Sequence, residues 1–335
     1  MPALRTLALA VLLCATALVS ACGDDDSSAA GDASLTVVAT TTQAADLARA
    51  VGGDRARVVG LLPANADPHD YEVRPDDVKE LTDAGLVIRS GGDLDDWLAS
   101  AIDSSGTDAP ELTLIDHVET REGGHEHGHE EEEHAAEEEE EHAEGEEEHE
   151  IDPHWWQDPH NAEAAVAEIE KALSKADPDG AATYARNADA YTANLKALDT
   201  AVAKCIDQIP PAQRKLVTTH DALGYYAARY GLEVVGAVIP ALTTQAQASA
   251  GEVDELIETI RHERVKAIFA ESSINPKLER VIADESGAQV GKALWADTLG
   301  PEGSDGDTYL KSIASNTRAI ADGLSGGAVS CTLPD

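Results

Sequence analysis

Apolar residues in this chain come mostly in short, unbroken runs rich in β-branched side chains, separated by stretches in which they recur every three or four positions. The first set of runs is LTVVAT at 35–40, RVVGL at 57–61, LVIR at 86–89 and LTLI at 112–115. The second set is KLVTT at 215–219, EVVGAVI at 233–239, AIFA at 267–270 and residues 289–294. Unbroken apolar runs suit strands covered on both faces, as in a parallel sheet, better than strands with one wet face. Helical spacing is read at 42–51, 75–84 and 161–174, and again at 223–230, 248–263 and 276–286. The pattern predicts an α/β fold of two lobes, 35–176 and 210–335, each with a mostly parallel four-stranded sheet flanked by helices.

Residues 177–209 lie between the two sets. Tyr184, Ala188, Tyr191, Leu195, Leu198 and Val202 recur at helical spacing, Pro178 suits a first turn, and Pro210-Pro211 ends the run. A continuous helix there would be ~45 Å long at about 1.5 Å per residue. It is expected to act as a stiff spine joining the lobes. The chain has one Phe and four Trp, so the cores are expected to be built mostly from Val, Leu, Ile and Ala.

Residues 122–150 break the pattern. They are almost entirely Glu and His, with His125, His127, His129, His134, His142 and His149 set among runs of glutamate. So few apolar residues predict a disordered loop, which cannot offset its own ordering entropy. A solubilising acidic linker needs no histidine, whereas imidazole is the commonest ligand for zinc, copper and nickel. Clustered carboxylates would raise the local cation concentration. The tract is therefore expected to be an accessory metal collector. It also carries much of the net charge of −40, which argues against nucleic-acid binding, since that wants a basic face.

The N-terminus reads as an export signal. Arg5 precedes an apolar run from Leu7 to Val19, too short to span a bilayer, and Ser20-Ala21 precede Cys22. Small residues before a cysteine resemble a bacterial lipobox. The resemblance implies cleavage of residues 1–21, lipidation of Cys22 and a flexible tether over 22–34. The protein is then extracytoplasmic and held to the cell membrane. Cys205 and Cys331 remain, and outside the cytoplasm they are expected to form a disulfide, with a soft-metal pair as the alternative.

Ligands of open α/β folds gather at the carboxyl ends of strands. Metal-ligand residues at such positions are His69 in ADPHDYE, His154 in DPHWWQDP, His220 after KLVTT and Asp297 in WADTLG. Alone, each reads more readily as a hydrogen-bonded loop residue than as a ligand, since Asp-Pro is common turn chemistry. Together, three imidazoles and a carboxylate make a zinc shell. His160, in a third Asp-Pro-His, is expected to cap a helix, and His117 and His262 to be structural or exposed. HEHGH at 125–129 matches a zinc-hydrolase motif only formally, because glycines surround it. GAQVGK at 287–292 is too short for a phosphate loop.

The strings DPHDYE, DPHWWQDP, THDALGYYAARYGL, ADTLG and GDTY, with DPDGAATYARNADAYTANLKALD at 177–199, resemble the metal-binding class of ABC-transporter solute-binding proteins. The resemblance spans nearly all of 35–324. It implies that His69, His154, His220 and Asp297 are the ligands and that Glu271 stands behind them. It also implies that a separate permease and ATPase are partners, and that binding rather than catalysis is the activity, by a monomer. A histidine at the third ligand position goes with zinc in that class and a glutamate with manganese, so His220 implies Zn2+. The alternatives are a manganese or other divalent-metal receptor, a secreted zinc hydrolase, or a buffer acting through the tract alone. On this reading Asp297 is the ligand that water replaces most readily, and capture weakens below about pH 6.5 as histidines protonate.

Overall fold

A computed structural model of the chain describes residues 35–123 and 150–334. The leader, Cys22, the tether and the tract histidines His125, His127, His129, His134, His142 and His149 lie outside the described residues. The first sheet is four-stranded and parallel: β1 (Leu35–Ala39), β2 (Ala56–Gly60), β3 (Leu86–Arg89) and β4 (Glu111–Thr113), in the order β2-β1-β3-β4. Val37 pairs with both Val58 and Leu86, and Val37, Val38 and Ala39 are fully buried, which explains the unbroken apolar run. Helix α1 (Thr42–Gly52) starts where the Thr41 hydroxyl accepts the Ala44 N–H. Helix α2 (Pro75–Thr82) starts on a proline, and Asp77 accepts the Arg74 N–H. Helix α3 (Trp97–Ser105) was not predicted. It buries only Leu98 and Ala101, too short a stripe to read as periodic.

Two helices follow: α4 (Pro159–Ala176) and α5 (Ala181–Ile206). Helix α5 spans roughly 39 Å at about 1.5 Å per residue. It begins three residues later than Pro178 suggests. Asp177 is held at 2.5 and 2.9 Å by Arg55 and at 2.7 Å by the Tyr184 hydroxyl, which leaves 178–180 as a separate turn. Tyr184, Ala188, Leu195, Leu198 and Val202 are buried, and α5 packs against α1 and α4.

The second half repeats the alternation: β5 (Lys215–His220), α6 (Gly224–Tyr230), β6 (Glu233–Ile239), α7 (Ala250–Glu263), β7 (Ala267–Ile268), α8 (Lys277–Ser286) and β8 (Gln289–Val290). Its strands form two parallel pairs, β5-β6 and β7-β8, joined by a bridge between Thr218 and Phe269. The Phe269 N–H donates to Val217 O at 2.8 Å, giving the order β6-β5-β7-β8. The last two strands are shorter than their apolar runs. Beyond them the chain stays extended, with the Leu294 N–H on Ala270 O at 2.8 Å.

Helix α9 (Tyr309–Ser325) was also not predicted. It is buried on most of its surface, and Ser312, Ser315, Asn316 and Thr317 are among its buried residues, so no apolar stripe stands out. These side chains are bonded: Asn316 brackets the Trp295 main chain at 2.8 Å on both sides, and the Thr317 hydroxyl meets that of Tyr226. The expected two separate cores are replaced by one apolar cluster that includes residues of both halves and of α5, with a satellite cluster in each half. α5 also packs on α6 and α9, so the spine is welded to the body along its length.

Cys205, on α5, is bonded to Cys331, 126 residues away, in the tail that follows α9. In the chain-entropy account a bridge closing so long a loop stabilises by at most about 5 kcal/mol. Cys331→Ser is therefore expected to lower the denaturation midpoint markedly, and the oxidised, denatured mature protein to show no reactive thiol. Thiol counting checks this, and two reactive thiols per chain would rule the bridge out.

Candidate metal centre

The four ligand-type residues arrive from four different stretches, each beyond the carboxyl end of a strand or at it. His69 lies in a turn, Pro68–Asp70, after β2; Asp67 accepts the His69 N–H at 2.9 Å and sets that turn. His154 lies just before the turn Trp155–Gln157 that leads into α4. His220 is the last residue of β5, and Asp297 follows β8. Trp156 and Gln157 both donate to Ala296 O, at 2.9 and 2.8 Å, so a turn from the first half holds the residue preceding Asp297.

Their ligand atoms converge. Asp297 Oδ2 lies 3.3 Å from His69 Nε2 and 3.2 Å from His220 Nε2, and Oδ1 lies 3.4 Å from His154 Nε2. The two ring nitrogens of His154 and His220 are 3.2 Å apart. All four ligand atoms lie within 4.8 Å of one another. A tetrahedral zinc shell with bonds of about 2.0–2.1 Å has edges of roughly 3.3–3.4 Å, which the three imidazole–carboxylate separations and the His154–His220 separation approach, the remaining pairs lying within 4.8 Å. His69 Nε2 and both Asp297 oxygens are buried without a hydrogen bond of proper geometry. Buried polar atoms left in that state call for an ion or proton between them.

The far sides of two rings explain why. His154 Nδ1 lies 2.8 Å from Asp152 Oδ1, and His220 Nδ1 lies 2.6 Å from Glu271 Oε1. A carboxylate at Nδ1 holds the proton there and turns the Nε2 lone pair inward. The same oxygens also accept the backbone N–H of the same histidines, at 2.9 and 3.2 Å, fixing ring and main chain together. Glu271 was expected behind a ligand; Asp152 was missed. Its signal was in the sequence, since Asp67, Asp152 and Asp158 each accept the N–H of the histidine two residues on.

Burial alone would lower the His220 pKa, but Glu271 and Asp297 beside it lift it well above its ordinary value. Burial would raise Asp297, yet His220 and His154 hold it well below the usual carboxylate range. Burial raises Glu271 against the opposing pull of His220. The centre is thus a carboxylate paired with a readily protonated imidazole, where a metal cation would compete with a proton.

His160 does not cap α4: Asp158 does, and the His160 ring is exposed at the second helical position. His117 and His262 are exposed as well, the latter 2.8 Å from Glu263. Residues 287–292 follow a helix and contain β8, the reverse of a phosphate loop. A cavity of about 520 Å³ is remote from these four residues, where α7, α8 and α9 end. Arg261 and Lys266 there donate to the terminal carbonyls of Glu285 and Ser325, an ordinary answer to helix C-termini. A different cavity, about 400 Å³, reaches His69 and is lined by Tyr71, Trp97, Glu150, Leu242 and Gln245 among others.

The chain matches the family described as zinc-uptake complex component A, periplasmic (ZnuA), over residues 37–323. It is 31% identical over 321 residues to the manganese-binding lipoprotein MntA of Bacillus subtilis, covering 94% of this chain and 98% of that one. It is 27% identical over 324 residues to the metal ABC transporter substrate-binding lipoprotein SsaB of Streptococcus sanguinis, covering 94% and 97%. The periplasmic zinc-binding protein TroA of Treponema pallidum superimposes with a TM-score of 0.74 at 26% identity, over 87% of this chain and 99% of TroA.

A metal held by this cluster would need the unprotonated Nε2 of His220. Because the His220 pKa is raised above 6.5, affinity is complete only above that raised value and declines as pH falls through it. The decline therefore starts at higher pH than an unperturbed histidine would impose. Chelator competition across a pH series checks this, together with buffer-dependent calorimetric heats that report proton release. An affinity that stays flat until well below about 6.5 would contradict it.

Proposed function

We propose, for a chain that belongs to the periplasmic zinc-uptake component A family, that the cargo is Zn2+ and the ligands are His69, His154, His220 and Asp297. As a member of that family the chain is a metal-binding receptor of an ABC importer and not an enzyme, so its partners are a permease and an ATPase. The observation that carries the zinc reading is the inward-facing set of three Nε2 atoms with one carboxylate, at separations close to tetrahedral edges. Imidazole suits zinc, whereas manganese prefers carboxylate, carbonyl and water. A manganese reading is the second choice, favoured by the manganese-binding relative MntA. We further place the receptor outside the cytoplasm, lipidated at Cys22, as its relatives named lipoproteins suggest, and read it as a monomer.

His69→Ala, His154→Ala and His220→Ala should each weaken zinc sharply in a chelator competition. The sequence reading made Asp297→Ala the mildest change. The burial of Asp297, 1% exposed and in contact with all three rings, supports a loss as large as for a histidine, because bulk water does not reach the site to replace it. Wild-type affinity in His69→Ala would overturn the ligand set. Elemental analysis after purification without added metal, with zinc and manganese in competition, decides the cargo.

The Glu/His tract is read as an accessory collector. Glu122 and Ile151 form an antiparallel bridge and the Gly123 N–H donates to Glu150 O at 2.8 Å, so the flanks of the tract meet. Glu150 lines the cavity that reaches His69. Replacing 124–149 with a short Gly/Ser turn, which lets the Glu122–Ile151 bridge close, should leave the tight phase intact, reduce total zinc bound and slow capture from dilute zinc. Calorimetry and stopped-flow capture test this; loss of the tight phase would mean the tract supplies primary ligands.

A further inference from the structure

The three histidines are not held alike. His154 and His220 each have a carboxylate on Nδ1, and both rings are fully buried. Among the described residues no carboxylate meets Nδ1 of His69. Its side chain keeps 7% exposure, toward the 400 Å³ cavity, while Asp297 keeps 1%. His69 is therefore the ligand beside which a metal ion must pass, and the one whose ring is least constrained.

What holds His69 is its main chain, and the holding comes from across the cleft. Gln245 Nε2 donates to His69 O in a short hydrogen bond. The Thr244 hydroxyl donates to Asp67 Oδ2 at 2.7 Å, while Oδ1 of the same carboxylate accepts the His69 N–H and shapes the turn. Both residues belong to the 240–249 segment, which has no helix or strand and follows β6. That segment is rooted next to the opposite ligand, since the Asp221 N–H donates to Ala241 O at 3.0 Å. One end of the segment thus adjoins His220 and the other grips the His69 turn.

We infer that Thr244 and Gln245 are positioning residues that keep His69 on the metal and so set how long it stays bound. This rests on the ligand reading above. Release requires the His69 turn to swing from the cluster, and these two side-chain contacts must part first. Affinity differences among variants of one site appear mostly in dissociation. The carboxylate-clamped rings of His154 and His220 would stay in place while the turn moves.

The test uses the full mature chain with zinc alone. Thr244→Val and Gln245→Glu keep size while removing the donor, and neither residue is a ligand. Stopped-flow transfer of zinc to a chelator gives the dissociation rate, and mixing with zinc gives association. Each variant is expected to speed dissociation by about tenfold, the effect of one hydrogen bond of upper ordinary strength, with association changed by less than about twofold. The same substitutions are then made in His69→Ala, which retains the other three ligand residues. There they should have no effect, because their action runs through His69. Unchanged dissociation in both single variants, or the same acceleration in the His69→Ala background, overturns the inference. His69→Ala binding as tightly as wild type is a separate result that overturns the ligand reading and this inference with it.

Discussion

One buried carboxylate touched by three imidazoles organises this molecule. Asp297 is buried where water does not reach, and His220 and His154 beside it hold its carboxyl below the usual range despite that burial. Asp152 and Glu271 turn two of the rings so that their lone pairs face the carboxylate rather than satisfying it. The result is an acceptor-rich point that a divalent cation completes and a proton on His220 completes less fully. Metal capture and the pH response are two consequences of that one constraint.

The fold keeps the four groups together by placing stiff elements behind each. His220 ends a buried strand, and Ala296, next to Asp297, receives two hydrogen bonds from the turn that follows His154. The Tyr309 hydroxyl, at the start of α9, donates to Trp156 O at 2.6 Å, and the Tyr309 N–H donates to Asp46 on α1. These bonds tie the halves across the cleft, and the shared apolar cluster with α5 inside it resists a wide hinge opening. The His69 turn and the 240–249 segment lie outside the sheets and meet at the cavity mouth.

Much of this was legible in the chain. Unbroken β-branched runs marked parallel strands because both faces of those strands are covered, and the spacing from Tyr184 to Val202 marked the spine because one face is buried. Family strings placed His69, His154, His220 and Asp297, and the structure brings those four together. Helices α3 and α9 were invisible for opposite reasons. The first buries too few residues to show a period, and the second buries serines, a threonine and an asparagine that read as surface.

The three Asp-Pro-His triplets mark the boundary most clearly. Local chemistry alone determined that each forms the same turn, with the aspartate accepting the N–H of the histidine two residues on. It did not determine that the ring of His154 is buried against His220 and Asp297, that of His69 sits at the cavity edge, and that of His160 points to solvent on α4. A hydrogen bond within three residues is settled by their own geometry. Which way a ring then faces depends on partners more than fifty residues distant, which only the packed chain brings within reach.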